Sequence, residues 1–217
     1  MGVASSVSGL AQQIRESIQQ EGVWNLAWRL ALAPVVWSGA LRAGLLDDLP
    51  GPAPAGSAGR MVTKSDVDDI LLVRPSSERG VLHERFQAGH ECVLATLQGE
   101  PAAFAWLCTG AARLGPLSLP LEEGEVWVYD SYTAKRFRRE GMRRAIMHGY
   151  MPHFLQRGFR RHMSCATLGR RPWGRDDRLQ VAAIRTLRLG PFRRISVEAC
   201  GTESDYWQQR LKELRWA

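Results

Sequence analysis

One stretch constrains this chain more than any other: Glu125 to Phe154, where a strand-like run meets an amphipathic helix across a basic, glycine-marked turn. Glu125–Thr133 (EVWVYDSYT) is rich in β-branched and aromatic residues and reads as a strand. Met142, Ala145, Ile146, Gly149, Tyr150 and Phe154 recur near a 3.6-residue period and read as one helix face, with Gly158 placed to close it. Gly141 then falls at the helix start, where backbone N–H groups without intrahelical partners can receive phosphate oxygens. The arginines around it, in TAKRFRREGMRRAIM (Thr133 to Met147), supply the matching charge. The segment is a chemical address for a phosphate-bearing ligand.

Charge is concentrated around that address. Positions 135, 136, 138, 139, 143, 144, 157, 160, 161, 170, 171 and 175 are Lys or Arg, against the single acid Glu140, while the whole chain carries only +7. Some of these must be a solvated helix face. The rest could serve coenzyme phosphates, an acidic carrier protein or a nucleic acid. Against nucleic acid, the chain shows no aromatic-interleaved basic strand and no recognition-helix signature.

The turn resembles the acyl-CoA-binding motif of the GNAT acetyltransferase superfamily, roughly V-x-P-x-x-[RQ]-x-x-G-x-[GA]. In register, Arg138 takes the Arg/Gln position and Gly141 the first glycine, whereas Thr133, Lys135 and Arg143 depart from the valine, the proline and the second small residue. The order of elements strengthens the resemblance. His90–Leu107 (HECVLATLQGEPAAFAWL) reads as two strands joined by a glycine turn, followed by the motif strand and helix. HMSCAT (His162–Thr167) reads as a further strand, AAIRTLRLGPFRRI as the closing helix, and ISVEA as the last strand. The resemblance covers about Asp69 to Trp216. It implies an α/β (α+β) fold: a mixed, mostly antiparallel central sheet flanked by helices.

The resemblance further implies an N-acyltransferase that uses acetyl-CoA or a longer acyl-CoA as co-substrate and an amine-bearing small molecule or peptide as acceptor. Arg138, Arg139, Glu140, Gly141, Met142 and Arg143 would hold the cofactor, with a backbone N–H near Tyr132 or Thr133 for the oxyanion. The amine must be neutral to attack, so a base has to take its proton. Glu125 is the first candidate and Asp130 the second; without a bulge their opposite strand parity puts them on different sides. The tyrosine that such enzymes commonly place in the closing helix is missing, and Thr186 stands there instead. Two alternatives stay open: fatty-acyl transfer from an acidic acyl-carrier protein, and a GNAT-shaped protein that binds a polyanion without turnover.

Among the histidines, His148 and His153 lie five apart and do not share a helix face, which argues against a metal pair. His162 begins a strand beside the cofactor cleft and is a candidate substrate contact. So is Trp173, in the GRRPWGRDD loop. Cys92, Cys108, Cys165 and Cys200 form no C-x-x-C pair, so no metal site and no disulfide framework is indicated. Without a visible signal peptide, a cytoplasmic location is the expectation.

Residues 1–60 read as an N-terminal helical extension with a Pro/Gly linker, and 61–217 as the acyltransferase domain. Within the extension, Leu10–Gln20 reads as a polar helix and Val23–Leu46 as an apolar one carrying Trp24, Trp28 and Trp37. Arg29, Pro34 and Arg42 oppose a membrane-spanning role, since a central arginine costs about 2.5–3.5 kcal/mol on insertion scales. A membrane-surface contact through residues 23–46, or cover for a long acyl chain, remains open.

Overall fold

The computed structural model describes residues 36–167, 180–189, 192–201 and 203–217. In chain order the elements are β1 (Val36–Leu45), β2 (Ser57–Val62), α1 (Val67–Val73), α2 (Arg79–Gln87), β3 (Glu91–Leu97), β4 (Glu100–Cys108), β5 (Ala111–Leu114) and β6 (Leu117–Pro120). They continue with β7 (Glu125–Thr133), α3 (Met142–Gln156), β8 (Arg161–Thr167), β9 (Gln180–Leu189), β10 (Phe192–Ala199), α4 (Ser204–Arg210) and β11 (Arg215–Trp216). These fall into two compact units. The larger comprises Arg42–Cys165 with Glu213–Ala217, and the smaller the residues up to Leu41 together with Ala166–Lys212.

In the larger unit the strands run in the order β8-β7-β4-β3-β2. The pairs β2/β3, β3/β4 and β4/β7 are antiparallel, and β7/β8 is parallel. A parallel pair needs a crossover, and α3 supplies it. The sheet's two faces are built from residues of different size. Val93, Ala95, Ala103 and Ala105 face α3, and Cys92, Leu94, Phe104 and Trp106 alternate with them toward α1 and α2. Alanines bring the helix close on one side, and aromatic rings fill the wider gap on the other.

The closest approach is between glycines. A Cβ on Gly59 of β2 would lie 2.0 Å from the Ala145 carbonyl oxygen, and one on Gly149 of α3 would lie 2.7 Å from Val93 Cγ2 and 2.8 Å from the Gly59 carbonyl carbon. Helix and strand backbones touch here, and nothing larger than hydrogen fits between them.

Three sequence expectations are corrected. Val36–Leu45, read as the end of an apolar helix, is a strand; Gly39 and Gly44 each cost a helix interior about 0.5–1 kcal/mol relative to alanine. Residues 57–60, read as the end of the linker, form the first part of β2. The run read as the closing helix, residues 182–195, covers most of β9 and the start of β10, with 190 and 191 outside the described residues; β9 pairs antiparallel with β10 from Phe192↔Leu189 to Ala199↔Ala182. The burial of β9 has a period of two: Ala182, Ile184 and Thr186 are buried, and Ala183, Arg185 and Leu187, which alternate with them, are partly or fully exposed. The motif strand Glu125–Thr133, the two strands before it and the helix after it stand where the sequence places them. Leu10–Gln20 and residues 23–35 lie outside the described residues. Among the described residues no helix is long and apolar enough to cross a membrane.

Gly59→Ala is expected to lower stability by about 3 kcal/mol, the upper range for overpacking, because the obstructing atoms belong to backbone. Ala58→Ser, on the exposed neighbour, should stay within about 0.5 kcal/mol of the parent. Urea midpoints of both variants test this, and equal midpoints would remove the close-contact argument.

Candidate functional site

The parallel ladder between β7 and β8 runs from Glu125↔Arg161 to Val128↔Ser164. Two residues further on, β7 bulges. Its register against β4 passes from Trp106↔Tyr129 to Phe104↔Tyr132, so three steps on β7 match two on β4. Asp130 sits in the bulge at φ 45°, a left-handed conformation that aspartate tolerates better than most residues. Its carboxylate is held from the α1/α2 side by Arg74 Nη1 at 2.9 Å and Arg85 Nη1 at 2.5 Å. Arg85 also lies over the rings of Trp106 and Tyr129, at 5.1 and 5.3 Å. The bulge turns Asp130 to the side that Glu125 occupies, which simple alternation would not do.

Where the two strands stop pairing, a cavity of about 490 Å³ opens. Strand β7 lines it with Val128 to Ser131 and Thr133, α3 with Arg143, Ile146, Met147 and Tyr150, and β8 with His162, Ser164 and Cys165; Arg42 completes the wall. Arg143 and Tyr150 are seven residues apart and share a helix face. His162 and Ser164 share a strand face by the period of two.

Inside, Tyr150 Oη and His162 Nδ1 form a hydrogen bond of 2.6 Å, and both residues are buried. Desolvation, aided by the nearby Arg143 charge, lowers the His162 pKa to about 4, with Asp48 opposing; the ring is therefore neutral at pH 7. Burial raises the Tyr150 pKa. Burial also pushes the Cys165 thiol up to about 12, with Arg42 opposing, so Cys165 is a thiol and not a nucleophilic thiolate.

The basic turn adjoins this cavity. Gly141 is the N-cap of α3 at φ 72°, and Arg139 is also left-handed at φ 73°. The place of a Gly141 Cβ is hemmed by Arg144 Nη2 at 2.9 Å and Pro54 Cγ at 3.2 Å. Arg138 Nε donates to the Thr133 carbonyl at 3.3 Å. Arg138, Arg139, Glu140, Arg143 and Arg144 are exposed, whereas Met142 is a core residue.

The sequence candidates thus separate. Asp130, Thr133, Arg143 and His162 meet at the cavity. Tyr132 does not line it: its ring stacks on Phe104 at 6.2 Å. Glu125 does not line it either. It is buried where β7 and β8 are still paired, and its Oε2 accepts the Glu122 N–H at 2.8 Å. Trp173 lies outside the described residues. His148 contacts the Gly51 carbonyl at 3.3 Å and His153 the Glu91 carboxylate at 2.9 Å, well apart from one another's partners. Tyr150, Ser164, Cys165 and Arg42 were not among the site candidates drawn from the sequence. Tyr150 and Ser164 carried a usable signal, the helical and strand spacings from Arg143 and His162. Arg42 carried none once its segment had been read as helix.

A parallel pair that parts beside a bulge, a crossover helix between its strands and a glycine-capped basic helix start form a mixed α/β arrangement of the kind that the sequence resemblance implies. No family profile and no curated protein matches the sequence. Among solved structures, the chain is similar to a GCN5-related N-acetyltransferase from Kribbella flavida (18% identity, TM-score 0.44, covering 90% of this chain and 67% of that one). It is also similar to a GCN5-related N-acetyltransferase from Sphaerobacter thermophilus (15%, TM-score 0.43, covering 69% and 49%). A third is the ribosomal-protein-S18-alanine N-acetyltransferase from Escherichia coli (13%, TM-score 0.37, covering 48% and 62%). The match spans only 49–62% of the length of the last two.

The neutral, buried His162 makes a pH prediction. Its pKa is about 4 in the fold against 6.5 for the free side chain, so between those values the unfolded chain binds the extra proton. The stability from this residue, on the order of 3 kcal/mol, is present in full above about pH 6.5 and lost as pH falls toward 4. His162→Gln should flatten that part of the stability–pH curve. An unchanged slope in denaturation series at stepped pH would show that His162 is not the group responsible.

Proposed function

We propose that this chain is an N-acyltransferase that moves an acyl group, acetyl by default, from an acyl-CoA thioester to an amine by direct attack. The observation that carries this reading is Arg143, which belongs both to the glycine-capped turn and to the wall of the cavity between β7 and β8. One ligand can therefore lay phosphates on the turn and its thioester in the cavity. The residues fit such a donor. Gly141 leaves the helix N–H groups open to phosphate oxygens, and Arg138, Arg139 and Arg144 add positive charge at the rim. At about 490 Å³ the cavity is within the usual range for small-ligand sites.

Bound acyl-CoA would supply the activated thioester carbonyl, with coenzyme A as the thiol leaving group. The protein's contribution is placement. Thr133 and the bulged residues of β7 bring strand backbone to the point where the oxyanion forms. Arg42 and Arg143 disfavour a protonated amine nearby and so promote the neutral nucleophile. Neither sequence candidate is well placed to take the amine proton. Glu125 sits at the closed end of the ladder, and both oxygens of Asp130 are engaged by arginines. Their assigned roles are structural, Asp130 fixing the bulge and Glu125 the strand entry.

The exposed arginines of the turn favour a second donor class, an acyl group on an acidic carrier protein. Such binding would weaken steeply with salt, since exposed charges are screened over about 8 Å at physiological ionic strength. The acceptor is an amine-bearing small molecule or peptide.

Calorimetry with CoA and acetyl-CoA, followed by a mass-detected screen of primary amines and peptides with acetyl to palmitoyl donors, tests the reading. Gly141→Glu is expected to abolish CoA binding, by placing a carboxylate and a strained side chain at the phosphate position. Wild-type affinity in Gly141→Glu, or no thioester turned over by the parent protein, would overturn the assignment. Glu125→Gln should leave kcat within about tenfold of the parent, short of the 10²–10⁴-fold loss expected for a general base; a loss of that size would return the base role to Glu125.

A further inference from the structure

We propose that Tyr150 and His162 are the proton carriers of this cavity, the imidazole receiving the amine proton and the phenol supplying one to the departing sulfur. The proposal rests on the acyltransferase reading above. Both side chains line the cavity, both are buried, and they are joined by a 2.6 Å contact between Oη and Nδ1. They come from the two elements that define the site. Tyr150 lies two turns along α3 from Arg143, and His162 lies on β8 opposite Val126, within the paired stretch. With Nδ1 taken by Tyr150, Nε2 is the ring nitrogen left to meet a ligand.

The surrounding charges decide how the pair can work. Arg143 on α3 opposes a charged imidazole, Asp48 after β1 favours one, and the rest of the wall adds Arg42, Asp130 and the Cys165 thiol. Asp130 is already matched by Arg74 and Arg85. The ring is therefore neutral and able to accept a proton, but it does not retain one. A base in this setting must pass a proton on as it receives one, and Tyr150 is the group in contact to take it.

The step balances. The amine lone pair forms the C–N bond, and the C–S bond pair leaves on sulfur. The nitrogen's proton moves to His162 Nε2, the Nδ1 proton moves to Tyr150 Oη, and the Tyr150 hydroxyl proton moves to the thiolate. An amide and a free thiol result. Tyrosine and histidine both end neutral, with the ring in its other tautomer, which water exchange resets. This starting tautomer has Nδ1–H donating to the phenol oxygen, and it leaves the Tyr150 hydroxyl hydrogen for the sulfur.

The experiment compares the parent protein with Tyr150→Phe and His162→Gln, on the amine acceptor found in the screen and two donors, acetyl-CoA and S-phenyl thioacetate. With acetyl-CoA, both variants should lose about 10²–10⁴-fold in kcat at nearly unchanged KM for the donor. The loss should not multiply in the double variant, because the pair acts as a unit. Thiophenolate leaves without a proton, so Tyr150→Phe should recover on S-phenyl thioacetate only the part of its loss that comes from protonating sulfur, and His162→Gln should recover none. A readout free of turnover is nitrogen NMR of the histidine rings in unliganded protein. There His162 should stay neutral down to about pH 5, and Tyr150→Phe should shift its Nδ1 resonance while that of His148 stays in place. Near-parent kcat in either variant, an equal loss of Tyr150→Phe on both donors, or a His162 that titrates near 6.5 in the parent would each overturn the relay. A parent protein that turns over no thioester would instead overturn the acyltransferase reading itself, which the NMR result leaves separately decided.

Discussion

The seating of α3 on the sheet is the contact on which the rest depends. Gly59 and Gly149 meet backbone to backbone, and the alanines of β3 and β4 extend that low-relief surface beneath the helix. A helix held this close has little freedom to roll or slide, since dense interiors transmit displacement instead of absorbing it. Its N-terminus is consequently held at the end of β7, and Arg143 and Tyr150 are held toward the gap between β7 and β8. A layer of larger side chains would lift the helix and take the phosphate turn away from the cavity.

The opposite face works by charge and aromatic packing. Arg74 and Arg85 clasp the Asp130 carboxylate while their guanidinium planes lie over Tyr132, Trp106 and Tyr129. A left-handed aspartate costs free energy, and its double ion pair offsets that cost. Removing Asp130 would leave two half-buried cations facing one another, so the pair of arginines and the bulge stand or fall together. The same bulge keeps β7 from following β8. Sheet strain on one side thus becomes an open site on the other.

The centre of the larger unit (β3, β4, β7, α3 and β8) was legible in the sequence, for identifiable reasons. Strand β7 and helix α3 carry unambiguous periods, and Gly141 and Gly158 bracket the helix. The bulge was legible only as a possible exception to strand parity, because its cause lies in Arg74 and Arg85, far away in the chain. Segment 180–189 misled because its apolar residues fit a helical period nearly as well as an alternating one. The buried row Ala182, Ile184, Thr186 becomes visible only with the partner strand in place. Glu125 drew attention as a carboxylate on the motif strand, but its carboxylate is buried against the Glu122 backbone and does not line the cavity, whereas His162, on the next rung of the same ladder, does.

Arg143 is the residue where the chain departs most from the GNAT-like pattern, and the structure gives that departure a physical role. A small residue there would only permit approach. An arginine adds a cation, which joins desolvation in lowering the proton affinity of His162 and, under the proposed reaction, would resist a protonated amine in the same space. A cavity whose histidine is neutral, whose cysteine is a thiol and whose carboxylate is already paired offers no stable resting place for a proton. Under the proposed acyl transfer a proton would have to run through to the leaving group in one passage, and the Tyr150–His162 contact is the route proposed for it.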